Sequence, residues 1–448
     1  MNLENLRKKK IAILGIGKEG ISLARFFYKH KISEITLCDQ KSQKELDKEI
    51  QQIPGKPRLI LGKNYLKNLI AFDICFRSPG VTLNLLEIQK IKSQIQFSSA
   101  TNLFFSLCPG KIIGVTGTKG KGTTASFIYE VFRAAGKRVF LAGNIGTPAL
   151  DILDKIKKND WVIYELSSFQ LEDLKFSPHV GIFLNIFLDH LDHHQDFSEY
   201  LEAKTKIFRY QQVQDFAIIN YEFEKFFKKI KFSAKKIFFG QESNLDAQIF
   251  KKQIKFKNQN SFSLNKSKLV GIHNAYNLAA GILAAKTVGI QDLIIQKTIN
   301  KFKGLPHRLE FVRTFQGVDF FNDSLATVPE STIAALRAFS MPKILIVGGS
   351  DKGADFSKLG KSINTSNVKK VILLGQTKNK IKKTLKNFPK NSIIEVGNLS
   401  EAVSKAWQSS KKGDTVLLSP ACASFDMFSS YKERGENFKT LVKKLNND

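Results

Sequence analysis

The chain has only four cysteines, Cys38, Cys75, Cys108 and Cys422, with no CxxC pair and no ligand-like spacing among them. That excludes a disulfide framework and a cysteine-held zinc, and it fits a reducing compartment. Long apolar runs are missing as well. The opening MNLENLRKKKIAILGIG sets its charges ahead of an apolar run too short and too glycine-rich for a signal or membrane helix. A soluble cytoplasmic protein with no membrane span is the expectation. No internal repeat, low-complexity linker or coiled coil is present. Acidic residues are scarce, 40 against 70 basic ones, for a formal charge of +30. Such an excess would suit a nucleic-acid backbone, but no zinc finger, RNP motif or basic heptad arm comes with it. The lysines are spread through helix-like stretches such as QKSQKELDKEIQQ and KNKIKKTLKNF, where they read as solvated faces. Nucleic acid is therefore not an expected partner; small polyanionic substrates, drawn in by the positive potential, are.

What is there is a rhythm. Short β-branched or apolar runs (KKIAILGIG, ISEITLCD, DICFRSPG, KIIGVTG, RVFLAG, DWVIYELSS, VGIFLNI, DFAIIN, PKILIVGG, KKVILLG, DTVLLSPA) alternate with longer amphipathic stretches from end to end. That is the pattern of βα units around mostly parallel sheets, an α/β fold. At 448 residues, 42% of them hydrophobic, the chain exceeds what one core organises. The rhythm restarts at KIIGVTG and again at DFFNDS and KILIVGG, so three domains are expected, at 1–100, 101–303 and 304–448.

Three stretches carry chemistry. Ile11–Gly20, IAILGIGKEG, is a strand followed by G-x-G-x-x-G, with Asp39 ending the next strand. Gly15 and Gly17 allow a tight turn and close approach of backbone to a diphosphate at a helix N-terminus, beside Lys18 and Glu19. NAD, FAD and nucleotide-sugar domains all use that turn. Gly114–Ser126, GVTGTKGKGTTAS, places a glycine-crowded turn between a strand and a helix. Backbone N–H groups of Gly117, Thr118, Lys119 and Gly120 can cradle phosphates while Lys121 adds a mobile positive charge. One oxygen is missing from it: Gly122 stands where such loops carry the Ser or Thr that holds magnesium. Thr123 offers the nearest hydroxyl, but neighbouring helical residues point ~100° apart, so a water is the simpler substitute and Thr123 the alternative. YELSSFQLE and LNIFLDHLDHH each follow a strand, where ligands of parallel sheets bind. Glu165, Asp189, His190 and Asp192 put carboxylate and imidazole there, a mixture suited to magnesium-bound phosphate.

GVTGTKGKGTT, GNIGTPAL, ELSSFQLE, LNIFLDHLDHH, EAKTKIF, GIHNAYN, GLPHRLEFV, FNDSLAT, GGSDKGADF and LSPACASFD occur in the order and approximate spacing of the Mur ligases. From Ile11 to Phe438 the chain resembles that family, most of all its D-glutamate-adding type. The resemblance implies an N-terminal Rossmann-like domain for a UDP-sugar, a central P-loop ATPase domain and a C-terminal Rossmann-like domain for an amino acid. It implies ATP-driven amide formation between UDP-N-acetylmuramoyl-L-alanine and D-glutamate through an acyl phosphate, in peptidoglycan precursor synthesis. Lys121 is similar to the family lysine on the β- and γ-phosphates, and Glu165 and His190 to its magnesium ligands, two ions being expected. Lys204 of EAKTKIF matches a carbamylated lysine, which becomes an anionic metal ligand only if its amine is first neutral. Arg308 and Asp323 match residues closing on ATP, and Asn274 and Asn277 the adenine-side asparagines. Ser78 and Gly80 match the UDP loop, Asn144, Ser168 and Gln170 the wall around the muramoyl-alanine arm, and Lys352, Ser424 and Tyr431 the amino-acid site. Two departures stand out. Besides Gly122, Leu325 replaces the lysine of NDSKAT near the phosphate and glutamate. A relative adding another amino acid, or a silent UDP-sugar or ATP binder, are the competing functions. A monomer is the expectation.

Overall fold

The computed structural model describes residues 2–189, 193–228, 230–257 and 260–446. Its strands fall into three sheets. The first orders Arg58–Leu61, Ile35–Asp39, Ile11–Leu14, Ile74–Arg77 and Gln96–Ser99, all parallel. Ile11–Leu14 and Ile74–Arg77 are buried at every position, as expected of strands covered by helices on both faces. The second sheet has nine strands. Phe216–Asn220, Val180–Phe183, Lys111–Thr116, Trp161–Glu165 and Val139–Gly143 lie in that order and are parallel. Beyond Phe216–Asn220 come Lys235–Gly240 and Ala247–Ile249, then an antiparallel edge, Gln253–Phe256 and Ser261–Ser263, that the βα rhythm does not announce. The third sheet orders Glu310–Phe315, Val318–Asn322, Thr415–Leu418, Lys343–Val347, Val368–Leu373 and Ile393–Glu395, parallel except for its first pair.

Two compact units result. The chain up to Leu264 with Ala275–Thr298 carries the first two sheets, and Asn265–Asn274 with Ile299–Asp448 carries the third. Within the first unit the sheets are tied by charge: Asp151 accepts from Arg25 Nη2 at 2.6 Å and from Ser22 Oγ at 2.7 Å. Helices start where the sequence supplies acceptors for orphan N–H groups. Ser99 caps Ala100–Leu107, Asp196 caps Phe197–Arg209 and Ser430 caps Tyr431–Lys444. Among the described residues no helix is long and apolar enough to cross a membrane.

Candidate active site

Strand Lys111–Thr116 delivers the chain into the phosphate turn, and helix Lys121–Ala134 leaves it. Gly120, at φ +87°, must be glycine for two reasons: the left-handed backbone, and a Cβ that would lie 2.2 Å from Asn277 Oδ1. The turn is braced from the next strand's exit. Thr118 N–H donates to the Asn185 carbonyl at 3.0 Å, and Lys119 N–H to Asn185 Oδ1 at 2.9 Å. Thr118 Oγ1 accepts from Phe187 N–H at 3.0 Å and pairs with the Tyr200 hydroxyl at 3.0 Å. Lys119 projects toward solvent, 3.6 Å from Asp189.

Two lysines meet at one carbonyl. Lys121 Nζ donates to the Gly117 and Thr118 carbonyls at 2.9 and 3.1 Å, and Lys204 Nζ donates to the same Gly117 carbonyl at 3.0 Å. Lys204 is 1% exposed. Burial, then the Lys121 ammonium, push its pKa well below the ordinary lysine value, against the opposing pull of Asp189 and Glu165. The amine is thereby held toward the neutral, nucleophilic form. Gly122 and Thr123 are both buried in the first helical turn. Glu165, 4% exposed, ends its strand beside this cluster and accepts from Asn144 Nδ2 at 3.2 Å. His190 and Asp192 lie outside the described residues. Among the described residues no group of three or more His, Cys, Asp or Glu is placed to hold a metal. The described donor here, the buried Glu165 carboxylate at a phosphate turn, suits magnesium, and beside it lies the buried Lys204 amine with its lowered pKa.

The G-x-G-x-x-G turn opens on a cavity of about 530 Å³ lined by Gly15, Gly17, Lys18, Glu19, Asp39, Ser78, Gly80 and Asn144 together. Residues from four separate stretches of sequence thus face one space. Gly20 has no room for a side chain, since its Cβ would lie 2.1 Å from the Gly15 carbonyl oxygen. Asp39 braces the turn, accepting from Ile16 N–H at 2.7 Å and Lys41 N–H at 2.9 Å. Ser78 Oγ donates to the Gly15 carbonyl at 2.7 Å. Gln170 is engaged within the protein: its Oε1 accepts from Ser167 N–H at 2.9 Å and its Nε2 donates to Glu19 at 2.5 Å. Burial raises the Glu19 pKa to about 7, although the Gln170 hydrogen bond and Arg77 oppose it. Ser168, 1% exposed, has a hydroxyl with no partner among the described residues.

In the second unit the motif loops are held by buried charges. Asp323 accepts from Ser419 Oγ at 2.8 Å and Leu309 N–H at 3.1 Å, which ties NDSLAT to both SPACAS and LPHR. Burial raises its pKa to about 7, only partly offset by those hydrogen bonds and by Arg308. Arg308 is exposed. Sequence reasoning missed Arg434, 2% exposed on helix Tyr431–Lys444, which donates to Ser324 Oγ and to the carbonyls of Ser324, Cys422 and Ala423 between 2.9 and 3.1 Å. No spacing signal marks it within KERGENF. Ser424 is buried, Lys352 Nζ sits 5.0 Å from the exposed Phe425 ring, and the Tyr431 carbonyl accepts from Ser324 Oγ at 2.8 Å. Leu325 is half-buried and donates its N–H to the His307 carbonyl at 2.9 Å. Of the two asparagines on helix Ile272–Thr287, Asn274, in this unit, donates Nδ2 to the Val270 carbonyl at 2.7 Å; Asn277 belongs to the first unit, where its carbonyl accepts from Thr124 Oγ1 at 3.4 Å.

A Rossmann-type turn on one sheet, a phosphate turn with converging lysines on the next, and a third α/β sheet define a multidomain nucleotide-binding α/β protein. Residues 9–96 match the Mur ligase MurD-like N-terminal domain, 115–285 the Mur ligase middle domain, and 307–422 the Mur ligase glutamate ligase domain. The chain is 36% identical to the UDP-N-acetylmuramoylalanine--D-glutamate ligase of Acetivibrio thermocellus, covering 99% of this chain and 98% of that one. It is likewise 36% identical to the enzyme of that name from Clostridium tetani, over 98% of this chain and 97% of the other. The chain belongs to the Mur ligase family. Its fold is shared with the UDP-N-acetylmuramate-alanine ligase of Thermotoga maritima, with a TM-score of 0.58 at 18% identity over 97% of this chain and 99% of that one.

Proposed function

We propose that this protein joins D-glutamate to UDP-N-acetylmuramoyl-L-alanine at the expense of ATP, in the cytoplasm and as a monomer, for peptidoglycan precursor synthesis. The observation that carries the chemistry is the meeting of Lys121 and the buried, neutral-leaning Lys204 on the Gly117 carbonyl. Lys121 Nζ reaches back to the Gly117 and Thr118 carbonyls of its own turn; with ATP bound its ammonium would move to the phosphate oxygens. A carboxylate is a poor acyl donor, so the γ-phosphate passes first to the alanine carboxylate, giving an acyl phosphate and ADP. The glutamate amine then attacks the acyl carbon, and phosphate leaves with the carbon–oxygen bond that breaks. Positioning and charge neutralisation dominate such a transfer.

The neutral Lys204 amine is the form that combines with carbon dioxide, and as a carbamate it would hold magnesium with Glu165 and His190. Bound there, magnesium would neutralise charge on the phosphates. The three domains divide near residues 101 and 304, with the UDP-sugar on the first. Asn274, Asn277, Arg308 and Asp323 serve ATP, and Lys352, Ser424 and Tyr431 the amino acid. Phosphate release with ATP, magnesium, UDP-N-acetylmuramoyl-L-alanine and a panel of amino acids tests the reading. D-glutamate should be preferred over D-aspartate and L-glutamate. Equal release with unrelated amino acids would remove the specificity, and preference for another one would trace to the corner altered by Leu325.

A further inference from the structure

Arg77 ends the strand that leads into Ser78 and Gly80, and it is 1% exposed. Its guanidinium closes its own loop by donating Nη1 to the Val81 carbonyl at 3.0 Å. The same group grips the turn after ELSS: Nη2 donates to the Phe169 carbonyl at 2.8 Å and to Asp173 Oδ1 at 3.2 Å, and Nη1 lies 3.3 Å from Glu172 Oε2. Glu172 Oε2 is shared with His193 Nε2 at 3.2 Å, and the His193 carbonyl accepts from Thr82 Oγ1 at 3.3 Å. Farther along, Asn84 Nδ2 donates to both oxygens of Glu199, at 2.9 and 3.2 Å. Loop 77–84 is thus fastened to 169–173 and to 193–199, and the latter runs into the helix that carries Lys204.

Stability alone is a weak reason for this arrangement. A buried ion pair roughly breaks even against well-packed apolar residues, and Arg77 Nε is left buried without a partner among the described residues. What a planar, multiply bonded fork supplies is a fixed geometry. We propose that Arg77 is a positioning residue that sets the register between the nucleotide-holding loop and the segment where the acyl end reacts, so that one bound UDP-sugar meets both at a fixed separation. This rests on the UDP-sugar reading above. Its consequence is graded: ATP does not feel Arg77, UDP alone feels only the contact that closes loop 77–81, and a substrate spanning both segments feels the whole set of contacts.

The test uses the full chain with Arg77→Lys, Arg77→Met and Thr82→Val, the last removing one hydroxyl with little change of shape. UDP, ATP and UDP-N-acetylmuramoyl-L-alanine affinities are measured by calorimetry, and kcat with D-glutamate by phosphate release. In Arg77→Lys, ATP should bind within about twofold of the parent and UDP should lose less affinity than UDP-N-acetylmuramoyl-L-alanine, while kcat falls at least ~10-fold, as small misplacements do. The affinity ratio of UDP-sugar to UDP should fall as well. Thr82→Val should show the same pattern, weaker. Arg77→Met failing to fold would leave the other two variants decisive. UDP affinity and kcat falling together in proportion to the folded fraction would overturn the proposal, as would unchanged kcat with an unchanged affinity ratio. A parent that binds the UDP-sugar but turns nothing over would instead sink the catalytic reading, and the affinity ratio alone would still judge the register.

Discussion

Lys204 is buried and shares the Gly117 carbonyl with Lys121, and burial, then that second ammonium, push its pKa well below the ordinary lysine value. The motif EAKTKIF places a lysine there; burial and the neighbouring Lys121 ammonium shift it from the ordinary lysine range. Lys204→Ala should lower amide formation at least ~10²-fold, the scale of losing a preorganised charge at a transferring group. Short carboxylic acids added to the assay should restore part of it, by standing in for the carbamate proposed at Lys204. Full activity without supplement would remove Lys204 from the site. The oxygen missing at Gly122 makes a second case. A water can replace one protein oxygen on magnesium without dismantling the site. Gly122→Ser should therefore lower the magnesium concentration giving half-maximal activity, and Thr123→Val should change it less. A magnesium titration of both variants checks this, and a large loss confined to Thr123→Val would make Thr123 the ligand.

At the level of elements, the phosphate turn works because its backbone is forced into a shape and its neighbours are packed onto it. Gly120 and Gly136 separate these causes. Both have left-handed φ, +87° and +70°, but a Cβ at Gly136 meets open space whereas one at Gly120 strikes Asn277. Gly136→Ala should cost about 1 kcal/mol of stability, the backbone penalty alone. Gly120→Ala should cost about 1–3 kcal/mol more, because Asn277 must move, and it should weaken ATP binding, which Gly136→Ala should not. Urea unfolding and ATP calorimetry on the pair give the comparison; equal losses in both variants would mean that Asn277 yields freely. The glycine was legible in the sequence. The asparagine that forbids a side chain there was not, since it arrives from a helix more than a hundred residues later.

For the whole molecule, buried acids set the pH response. Asp323 titrates near 7 when folded, against an ordinary 3.8, with burial as the leading cause. Between those values the folded chain keeps a proton that the unfolded chain has released, so this residue's contribution to stability falls as pH rises from about 4 to 7 and is fully lost above that. The ceiling is on the order of 4 kcal/mol. Asp323→Asn, which cannot ionise, should therefore be least costly, or even stabilising, at pH 8 and most costly at pH 5 in urea unfolding. An identical pH dependence in parent and variant would show that Asp323 stays ionised and compensated. By itself the sequence determined the α/β class, the Rossmann and phosphate turns, the lysines and carboxylates at strand ends and the family, because strand periodicity, glycine turns and motif spacing are written over a few tens of residues. Burial is not written that way. Lys204 meets Gly117 across 87 positions, Arg77 meets Asp173 across 96 and Arg434 meets Ser324 across 110. Which charges lose their water, and so which lysine has its pKa lowered, which aspartate has its pKa raised and which arginine fastens two loops, was decided only when those distant segments packed together and excluded solvent.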